Sequence, residues 1–333
     1  MASMNTPSAH PYDALTPERV LDAIESLGLR CDGYLQALNS YENRVYQIGL
    51  VDGAPVVAKF YRPARWTEAQ ILEEHEFAFE LAEREIPVVT PLRFDGASLH
   101  RYQGFLFAVY PRRGGRAPDL EDEQTLERLG RFIGRIHAVG SIRPFRHRPS
   151  LDVRRFGYEP RDYLLAHECL PEELREVYRG VADQALAAVQ RLFDAAGPVR
   201  SLRLHGDCHP GNLLWTDEGP HFVDLDDACM GPAVQDLWML LSGERAAMTR
   251  QLSVLLRGYE QFHDFDYREL QLIEALRTLR LIHYAAWIAR RWDDPAFPAA
   301  FPWFGSPRYW QDRILELREQ IALMEGPPLA LQA

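Results

Sequence analysis

The sequence is poor in the features that mark secreted and membrane-embedded proteins. Its 333 residues contain only four cysteines, at positions 31, 169, 208 and 229, and no two of them form a Cys-x-x-Cys pair. This argues against both a disulfide framework and a zinc ribbon. No apolar run reaches about 18 residues, and the first thirty residues lack a basic segment followed by an apolar one. Neither a membrane span nor a signal peptide is therefore expected.

The chain also lacks an excess of basic residues. Its formal net charge is -11 at pH 7. Nonspecific binding to nucleic acid requires a basic surface that neutralises phosphates, so that class of function is excluded. With 47% hydrophobic and 26% charged residues, the composition is that of an ordinary globular domain. We expect a soluble, reduced, cytoplasmic protein that uses neither a nucleic acid nor a membrane as a partner.

The pattern along the chain predicts an α+β protein with two lobes. A β-rich front, residues 1–110, is followed by a Pro/Gly break at 111–115 and then by a mainly helical part, residues 111–333. We expect a nucleotide-binding lobe, a catalytic and substrate lobe, and a ligand cleft between them. Residues 1 to about 14 are expected to be loosely ordered, and Thr16-Pro17 to begin the first helix. The other predicted elements are strands at 38–48 (interrupted by a polar turn), 55–61, 88–92 and 105–110, a helix at 69–84, and a β-like pair near 213–215 and 222–224.

The most informative stretch runs from Leu204 to Asp227. It places an acid, Asp207, five residues before an amide, Asn212, and ends a following strand with a second acid, Asp224. Transfer of a phosphoryl group from ATP needs one carboxylate to orient the attacking hydroxyl and two oxygen ligands for Mg²⁺. We therefore predict Asp207 and Asp224 as catalytic residues, with Asn212 and Asp224 as the magnesium ligands. The competing interpretations are a turn-capping Asp207, a turn residue at Asn212 and a solvated Asp224.

Neighbouring residues leave two further interpretations open. Strand alternation would place Asp226 on the same side as Asp224, either as a second metal ligand or as an outer partner. His205, Cys208, His209 and Cys229 could suggest zinc, but their spacing does not fit the usual zinc sites. We expect His205 to brace the loop through a hydrogen bond, and the two cysteines to be buried and inert.

A lysine at the end of an apolar strand, Lys59, is the predicted phosphate-binding residue of the first lobe. An ammonium group there can act on the α- and β-phosphates of ATP if a carboxylate from the next helix holds it. Glu73, Glu74 and Glu76 are the candidates for that carboxylate. The adenine ring is expected against residues 107–111, with Val109 as the backbone contact.

These residues resemble the aminoglycoside phosphotransferase and choline kinase group of eukaryotic-like kinases. The resemblance rests on His205-Gly206-Asp207, on Asn212 and on Val223-Asp224, and it implies a two-lobed protein-kinase-like fold. It also implies that Asp207 is the proton acceptor, that Ser40 contacts ATP in the loop over the phosphates, and that Glu74 is the helix acid.

Further segments resemble one bacterial branch of this group. They lie at 38–47, 59–63, 222–228, 231–238 and 291–298. The branch implies a monomeric, cytoplasmic serine/threonine protein kinase that autophosphorylates and protects against stress-induced cell death. ATP would be its co-substrate, Mg²⁺ its cofactor, and a protein with a Ser or Thr hydroxyl, itself included, its acceptor.

The chain departs from ordinary protein kinases in two ways. Residues 39–44 contain no glycine, so Asn39, Ser40 and Asn43 must supply the polar groups over the phosphates. No Ala-Pro-Glu-like segment follows Asp224, so no activation loop of the usual kind is indicated. A small-molecule kinase acting on an amino alcohol or sugar is the alternative, with Asp226, Asp227, Asp293 and Asp294 as a possible pocket for a cation. A silent nucleotide-binding scaffold is the third interpretation.

Overall fold

A computed structural model describes residues 10–329, and these residues divide into two compact units. The first unit comprises residues 10–79 and Val89–Gly114, and the second comprises Glu80–Val88 and the chain from Gly115 onward. The boundary proposed at 110/111 lies close to the change of unit after Gly114. The sequence did not indicate that the short segment Glu80–Val88 belongs with the second unit.

The first unit is built on an antiparallel sheet. Its elements are α1 (Pro17–Glu25), β1 (Cys31–Ala37), β2 (Arg44–Leu50), β3 (Val56–Phe60), α2 (Glu68–Glu83, whose last turn belongs to the second unit), β4 (His100–Tyr102) and β5 (Phe105–Pro111). The strand order is β1-β2-β3-β5-β4. Lys59 of β3 lies opposite Val45 of β2 and Ala108 of β5, and is thus in the middle of the sheet. The buried side chains of Ile24, Ile48 and other apolar residues form the core of this unit.

Several sequence predictions for this unit are confirmed, and others are wrong. The first of the two strands predicted within 38–48 lies earlier, at Cys31–Ala37, and residues 38–43 form the loop that follows it. Helix α1 is capped by Thr16, whose hydroxyl accepts the Arg19 N–H, and α2 matches the helix predicted at 69–84. The strand predicted at 88–92 does not form. Only Val88 makes a β-bridge, because Pro87 precedes the segment, Pro91 lies within it, and proline cannot donate to a ladder.

The predicted loose segment at residues 1–14 lies mostly outside the described residues. The described part, Pro11–Ala14, is a 3₁₀ turn, so the prediction is wrong for these residues. The Tyr12 hydroxyl donates to the Phe60 carbonyl at 3.1 Å, which ties the turn to the sheet.

The second unit is mainly helical, as predicted. Its elements are α3 (Glu123–Gly140), a π-helical turn (Arg154–Tyr158), α4 (Glu159–Ala166), α5 (Glu172–Ala196), β6 (Leu202–Leu204), β7 (Leu213–Thr216), β8 (Gly219–Phe222), β9 (Cys229–Gly231), α6 (Gln235–Trp238), α7 (Arg245–Tyr259), α8 (Ile273–Ala289), α9 (Ala296–Ala300) and α10 (Pro307–Glu325). Strands β7 and β8 form the predicted hairpin, and β6 pairs with β9. None of the helices within residues 10–329 combines the length and hydropathy that crossing a bilayer requires.

Glycines let helices α3 and α7 pack with their backbones in close approach. A Cβ at Gly130 of α3 would overlap the Leu255 carbonyl of α7, and one at Gly258 of α7 would overlap the Glu127 carbonyl of α3. This close packing brings His137 of α3 beside Tyr259 of α7, where His137 Nδ1 and the tyrosine hydroxyl are 2.9 Å apart. The other ring nitrogen of His137, Nε2, is thereby held 3.0 Å from the carboxylate of Asp236.

Candidate active site

The candidate site of the second unit is a loop between β6 and the β7–β8 hairpin. After β6, Gly206 adopts φ +85, and a Cβ there would overlap the Asp227 carbonyl, so only glycine fits this turn. The chain then makes a short 3₁₀ turn, Pro210–Asn212, which is capped by His209 through a 3.0 Å bond from the Gly211 N–H. These local features fix the backbone on both sides of Asp207.

The Asp207 carboxylate is held from both sides. Arg280 of α8 donates through Nη1 to Oδ1 at 2.6 Å, and His209 Nε2 lies 3.4 Å from Oδ2. The side chain is 22% exposed. Burial alone would raise the pKa of Asp207, but hydrogen bonding from His209 and the charge of Arg280 outweigh it and hold the pKa well below its usual range. Asp207 is therefore an ionised, firmly oriented acceptor that can bind a hydroxyl proton.

Asn212 is oriented by the loop that carries Asp207. Its side-chain nitrogen donates to the Asp207 carbonyl at 2.9 Å, which turns the amide oxygen away from that carbonyl. The backbone carbonyl of Asn212 accepts the N–H of Val223 at 3.1 Å, so the segments carrying Asn212 and Asp224 are joined directly. The two predicted metal ligands are thus placed on adjoining segments.

Asp224 has an unusual backbone conformation. It is exposed and left-handed, with φ 59 and ψ 63. A non-glycine residue in this region costs of order 1 kcal/mol or more, and such strain clusters at functional sites. The conformation ends the extended chain after β8 at an exposed residue. Carboxylate and amide oxygens are the hard ligands that Mg²⁺ prefers, so Asp224 and Asn212 fit a magnesium ion by donor type.

Asp226 does not share this position, and the strand alternation assumed for it is wrong. The left-handed turn at Asp224 is followed by the 3₁₀ turn Leu225–Asp227, so the two-residue period of a strand does not apply. Asp226 is buried, with only 3% of its surface exposed, whereas Asp224 is exposed. This argues against Asp226 as a second metal ligand.

The expectations for His205 and the cysteines are confirmed. His205 is buried, and its Nε2 donates to the Val223 carbonyl at 2.9 Å, which joins the Asp207 loop to the segment that leads to Asp224. Cys208 and Cys229 are buried free thiols, and burial raises the pKa of each. Neither has the lowered pKa of a reactive cysteine. Among residues 10–329, no group of three or more His, Cys, Asp or Glu side chains is placed to hold a metal ion on its own.

Sequence reasoning missed the residue that fixes this loop, Asp236 of α6. Its buried carboxylate accepts the backbone N–H of His205 and that of Gly206, each at 2.8 Å, and His137 Nε2 lies 3.0 Å away. A carboxylate that accepts several N–H groups orients them strongly. Asp236 lies within the segment 231–238, but no local pattern could reveal its role, because its partners lie 30, 31 and 99 residues earlier in the chain.

A buried glutamate, Glu269, accepts a hydrogen bond from the backbone just before α6. Glu269 accepts the Val234 N–H at 2.8 Å, just before α6, and only 1% of its surface is exposed. Burial raises the pKa of Glu269 from its ordinary value of 4.5 to about 7. In the unfolded chain it would ionise near 4.5, so the folded state carries a penalty that grows as the pH rises from 4.5 to 7.

We predict that Glu269→Gln changes the pH dependence of stability. The wild type should lose roughly 3 kcal/mol relative to the variant between pH 4.5 and 7.5, from about 2.5 pH units at 1.4 kcal/mol each. Urea unfolding at several pH values measures the difference. Any stability that the variant loses because glutamine hydrogen-bonds less well does not depend on pH. The quantity to compare is therefore the slope of the unfolding free energy against pH. The control is Glu319→Gln on the exposed side of α10, and equal slopes for both variants would contradict the argument.

In the first unit, the predicted phosphate-binding lysine is buried rather than solvated. Lys59 is 6% exposed, and its ammonium group lies 5.3 Å from the centre of the Tyr61 ring. A buried lysine in mid-sheet is not the ordinary exposed lysine of the competing interpretation. Of the three candidate acids on α2, Glu73 and Glu74 are buried and Glu76 is exposed. The assignment of Glu74 as the partner of Lys59 stays a prediction.

A hydrogen-bonded chain of four side chains, three of them buried, lies beside Lys59, and no pattern in the sequence indicated it. The Tyr61 hydroxyl is 2.8 Å from His75 Nε2 and 3.2 Å from the Tyr110 hydroxyl, and His75 Nδ1 is 2.9 Å from the Ser98 hydroxyl. This chain connects β3, α2 and the end of β5. It fixes the ring over which the Lys59 ammonium group lies.

The glycine-free loop between β1 and β2 is anchored by an arginine. Arg62 donates to the carbonyls of Glu42 at 3.0 Å and Tyr41 at 3.3 Å, and the buried Asn43 side chain accepts the Arg62 N–H at 3.1 Å. Ser40 is half-buried in this loop. Hydrogen bonds from Arg62 therefore hold the polar loop that replaces the glycine-rich loop of ordinary protein kinases. The amide oxygen of Asn43 is buried and accepts this bond, so it serves to anchor the loop rather than to contact phosphates.

Val109 is only partly available for the predicted adenine contact. It is buried in β5, and its carbonyl accepts the Leu92 N–H at 2.6 Å. A backbone contact to adenine would therefore fall to the Val109 N–H. This assignment stays a prediction.

The fold and the loop carrying Asp207 define a phosphotransferase. A model of the phosphotransferase enzyme family matches residues 35–273, and the chain belongs to that family. Its curated relatives include stress response kinase A of Escherichia coli (strain K12), 46% identical over 324 residues that span 97% of this chain and 98% of the relative. Serine/threonine protein kinase RdoA of Salmonella typhimurium is 44% identical with the same coverage. The branch inferred from the sequence segments, that of stress response kinase A, is thereby confirmed.

Solved structures support the fold. The amicoumacin kinase hAmiN, in complex with AMP-PNP, Ca²⁺ and Ami, has a TM-score of 0.72 at 18% identity, covering 96% of each chain. A microcompartment-associated aminopropanol kinase has a TM-score of 0.67 at 18% identity, covering 92% of this chain and 96% of its own. At these identities the likeness shows the fold alone. The predicted α+β, kinase-like fold is confirmed.

Proposed function

We propose that the protein is an ATP- and Mg²⁺-dependent serine/threonine protein kinase that also phosphorylates itself, acting as a cytoplasmic monomer in the stress response. The observation that carries the phosphoryl-transfer chemistry is the oriented Asp207 carboxylate, joined through one loop to Asn212 and Asp224. The choice of a protein acceptor is supported by the relatives at 44–46% identity, one of which is named a serine/threonine protein kinase.

Asp207 is the proposed acceptor of the hydroxyl proton. The attacking oxygen of a Ser or Thr side chain would hydrogen-bond to this carboxylate, which orients it toward the γ-phosphorus. As the oxygen–phosphorus bond forms and the bond to the β-phosphate breaks, the hydroxyl proton passes to Asp207 and ADP leaves. Because the pKa of Asp207 is low, it serves mainly to orient the oxygen and takes the proton late in the step.

Asn212 and Asp224 are the residues that would hold Mg²⁺. When bound, such an ion neutralises the charge of the β- and γ-phosphates. The amide oxygen of Asn212 is turned away from the Asp207 carbonyl, and the left-handed turn exposes the Asp224 carboxylate. Two protein oxygens are a fitting set, because Mg²⁺ usually keeps waters and phosphate oxygens as its other ligands.

The first unit would bind the nucleotide. We assign Lys59 to the α- and β-phosphates, Glu74 to Lys59, Ser40 to the phosphate loop and the Val109 N–H to adenine. The burial of Lys59 and the anchoring of the loop by Arg62 support this assignment, since both pre-organise polar groups that an exposed chain would leave mobile.

The structure weakens the case for a cationic amino-alcohol acceptor. Of the four acids that could have formed an acidic pocket, Asp226 and Asp294 are buried, at 3% and 0% exposure. Asp294 caps the start of α9, where its carboxylate accepts the Ala296 N–H at 3.1 Å. It is therefore engaged at the start of α9 rather than in an open pocket.

A competition between acceptors tests the proposal. The wild type is incubated with labelled ATP and Mg²⁺, either alone, with generic protein acceptors, or with a panel of amino alcohols and sugars. We expect label on Ser and Thr of protein, including the kinase itself. Efficient turnover of one small alcohol with no labelled protein would overturn the protein-kinase assignment, while leaving the chain a phosphotransferase.

We predict that Arg62→Ala weakens ATP use. Losing its bonds to the Tyr41 and Glu42 carbonyls should loosen the phosphate loop and raise the KM for ATP about tenfold, because hydrogen bonds to a charged group are worth about 1.5–3 kcal/mol. Initial rates over a range of ATP concentrations measure it. The control is Arg65→Ala, since Arg65 is farther from the Glu42 carboxylate, at 3.7 Å against 3.0 Å for Arg62, and lies over the Trp66 ring, 5.0 Å from its centre. Equal KM values for Arg62→Ala and the wild type would show that the loop does not bind phosphates.

A further inference from the structure

The contact between Arg280 and Asp207 places a cation where the acceptor hydroxyl must arrive. Arg280 projects from the middle of α8, its side chain is 44% exposed, and it donates to Asp207 Oδ1 at 2.6 Å. Asp207 Oδ2 faces the His209 imidazole, whose Nε2 is 3.4 Å away. The guanidinium of Arg280 beside the catalytic carboxylate repels ammonium ions and attracts carboxylates or phosphates.

The segment that carries Arg280 is rich in arginine in an otherwise acidic protein. Helix α8 contains Glu274, Arg277 and Arg280, and Arg290 and Arg291 follow it, although the whole chain has a net charge of -11. Arg277 is paired with Glu274 at 3.3 Å, whereas Arg280 is directed at Asp207. Arg280 and Tyr284 are four residues apart, and Trp287 follows three residues later, so they share one face of the helix. Tyr284 and Trp287 stack with their ring centres 5.7 Å apart. A charged group and an aromatic surface therefore lie side by side, within about 10 Å along the axis.

We propose that Arg280 sets acceptor specificity by binding a negatively charged group next to the acceptor hydroxyl, so that the preferred acceptor is a Ser or Thr within an acidic peptide segment. In the resting protein Arg280 is paired with Asp207. An acidic acceptor offers Arg280 a second carboxylate as its hydroxyl reaches Asp207. A lysine-flanked acceptor offers no such partner and meets like charge instead. The inference rests on the proposed function, whose acceptor class it narrows.

Peptides of matched length test the proposal. Three peptides share one serine and a neutral core, and carry Asp, Ala or Lys on both sides of the serine. We expect the wild type to show kcat/KM about tenfold or more higher for the Asp peptide than for the Lys peptide, as the loss of a charged hydrogen bond implies. Arg280→Gln should remove the preference, mainly through the KM of the Asp peptide, and Arg280→Glu should reverse it.

Arg290→Gln is the matched control. Arg290 is an exposed arginine at the end of the same helix, and it stacks on Tyr163, with the guanidinium 4.9 Å from the ring centre, rather than contacting Asp207. This variant should keep the wild-type ranking. Thermal unfolding of each variant with and without ATP shows that loss of preference does not reflect loss of folding.

The outcomes separate this inference from the proposed function. A wild type that uses the three peptides equally, or that prefers Lys, overturns the role of Arg280. So does an Arg280→Gln variant that slows all three peptides but keeps their ranking, because Arg280 would then act only by orienting Asp207. If no peptide is used but small alcohols are, the protein-kinase assignment fails. The role of Arg280 is then tested by comparing kcat/KM for glycolate and for ethanolamine. A preference for ethanolamine contradicts the role. A preference for glycolate that is lost in Arg280→Gln supports it.

Discussion

Replacing Asp207 by asparagine should lower kcat by about a thousandfold, within the 10²–10⁴ range of general-base catalysis, while ATP affinity changes little. Asparagine keeps the size of the side chain but cannot accept the proton, and it leaves Arg280 without its ion pair. Single-turnover transfer from labelled ATP measures the rate, and titration with a fluorescent ATP analogue measures the affinity.

The control for this variant is Asp217→Asn, an exposed residue in the β7–β8 turn that should retain wild-type turnover. If Asp207→Asn transferred phosphate at the wild-type rate, the assignment of Asp207 would be wrong. If it instead lost ATP binding, Asp207 would belong to the nucleotide site and not to the acceptor site.

Replacing Asp236 by alanine should have the largest effect on stability. The change leaves the His205 and Gly206 N–H groups and His137 without their common acceptor in a buried site. Removing one partner of such a network costs about 3–5 kcal/mol, which is a large part of the stability of a typical domain. The Asp207 loop should also lose its position, and a shift of about 1 Å can cost a hundredfold in rate.

Chemical denaturation and activity per folded molecule test this prediction together. Asp236→Asn should fall between the wild type and Asp236→Ala, because its amide oxygen can accept one N–H while its NH₂ group faces the other donor. Asp217→Ala is again the exposed control. An Asp236→Ala protein that is as stable and as active as the wild type would show that another group positions the loop.

The parts of the candidate site whose arrangement could be predicted from the sequence are local in the chain. Asp207, Asn212 and Asp224 lie within eighteen residues, and their spacing alone indicated adjoining segments, which the Asn212–Val223 backbone bond confirms. Strands, the β7–β8 hairpin and helix α2 were visible through their hydrophobic periodicity. The order of a strand-rich part and a helical part predicted two lobes, and the resemblance of the Asp207 segment to a kinase group implied the kinase-like fold.

The parts that it missed depend on distant segments or on single backbone angles. Asp236 acts on His205 and Gly206, and Arg280 acts on Asp207 from seventy-three residues away, so neither contact has a local signature. The position of Asp226 was misjudged because one left-handed residue, Asp224, ends the strand alternation. The strand predicted at 88–92 failed because prolines limit that segment to a single bridge.

Mapping phosphate on the protein itself tests the central claim most directly. Wild type and Asp207→Asn are dephosphorylated and incubated with ATP and Mg²⁺, and phosphorylated residues are then located by mass spectrometry of their peptides. We predict phosphoserine or phosphothreonine on the wild type, stoichiometric with the ADP formed in the absence of other acceptors, and none on Asp207→Asn. An unmodified wild type that rapidly phosphorylates a small alcohol, or equal modification of both proteins, would contradict the account.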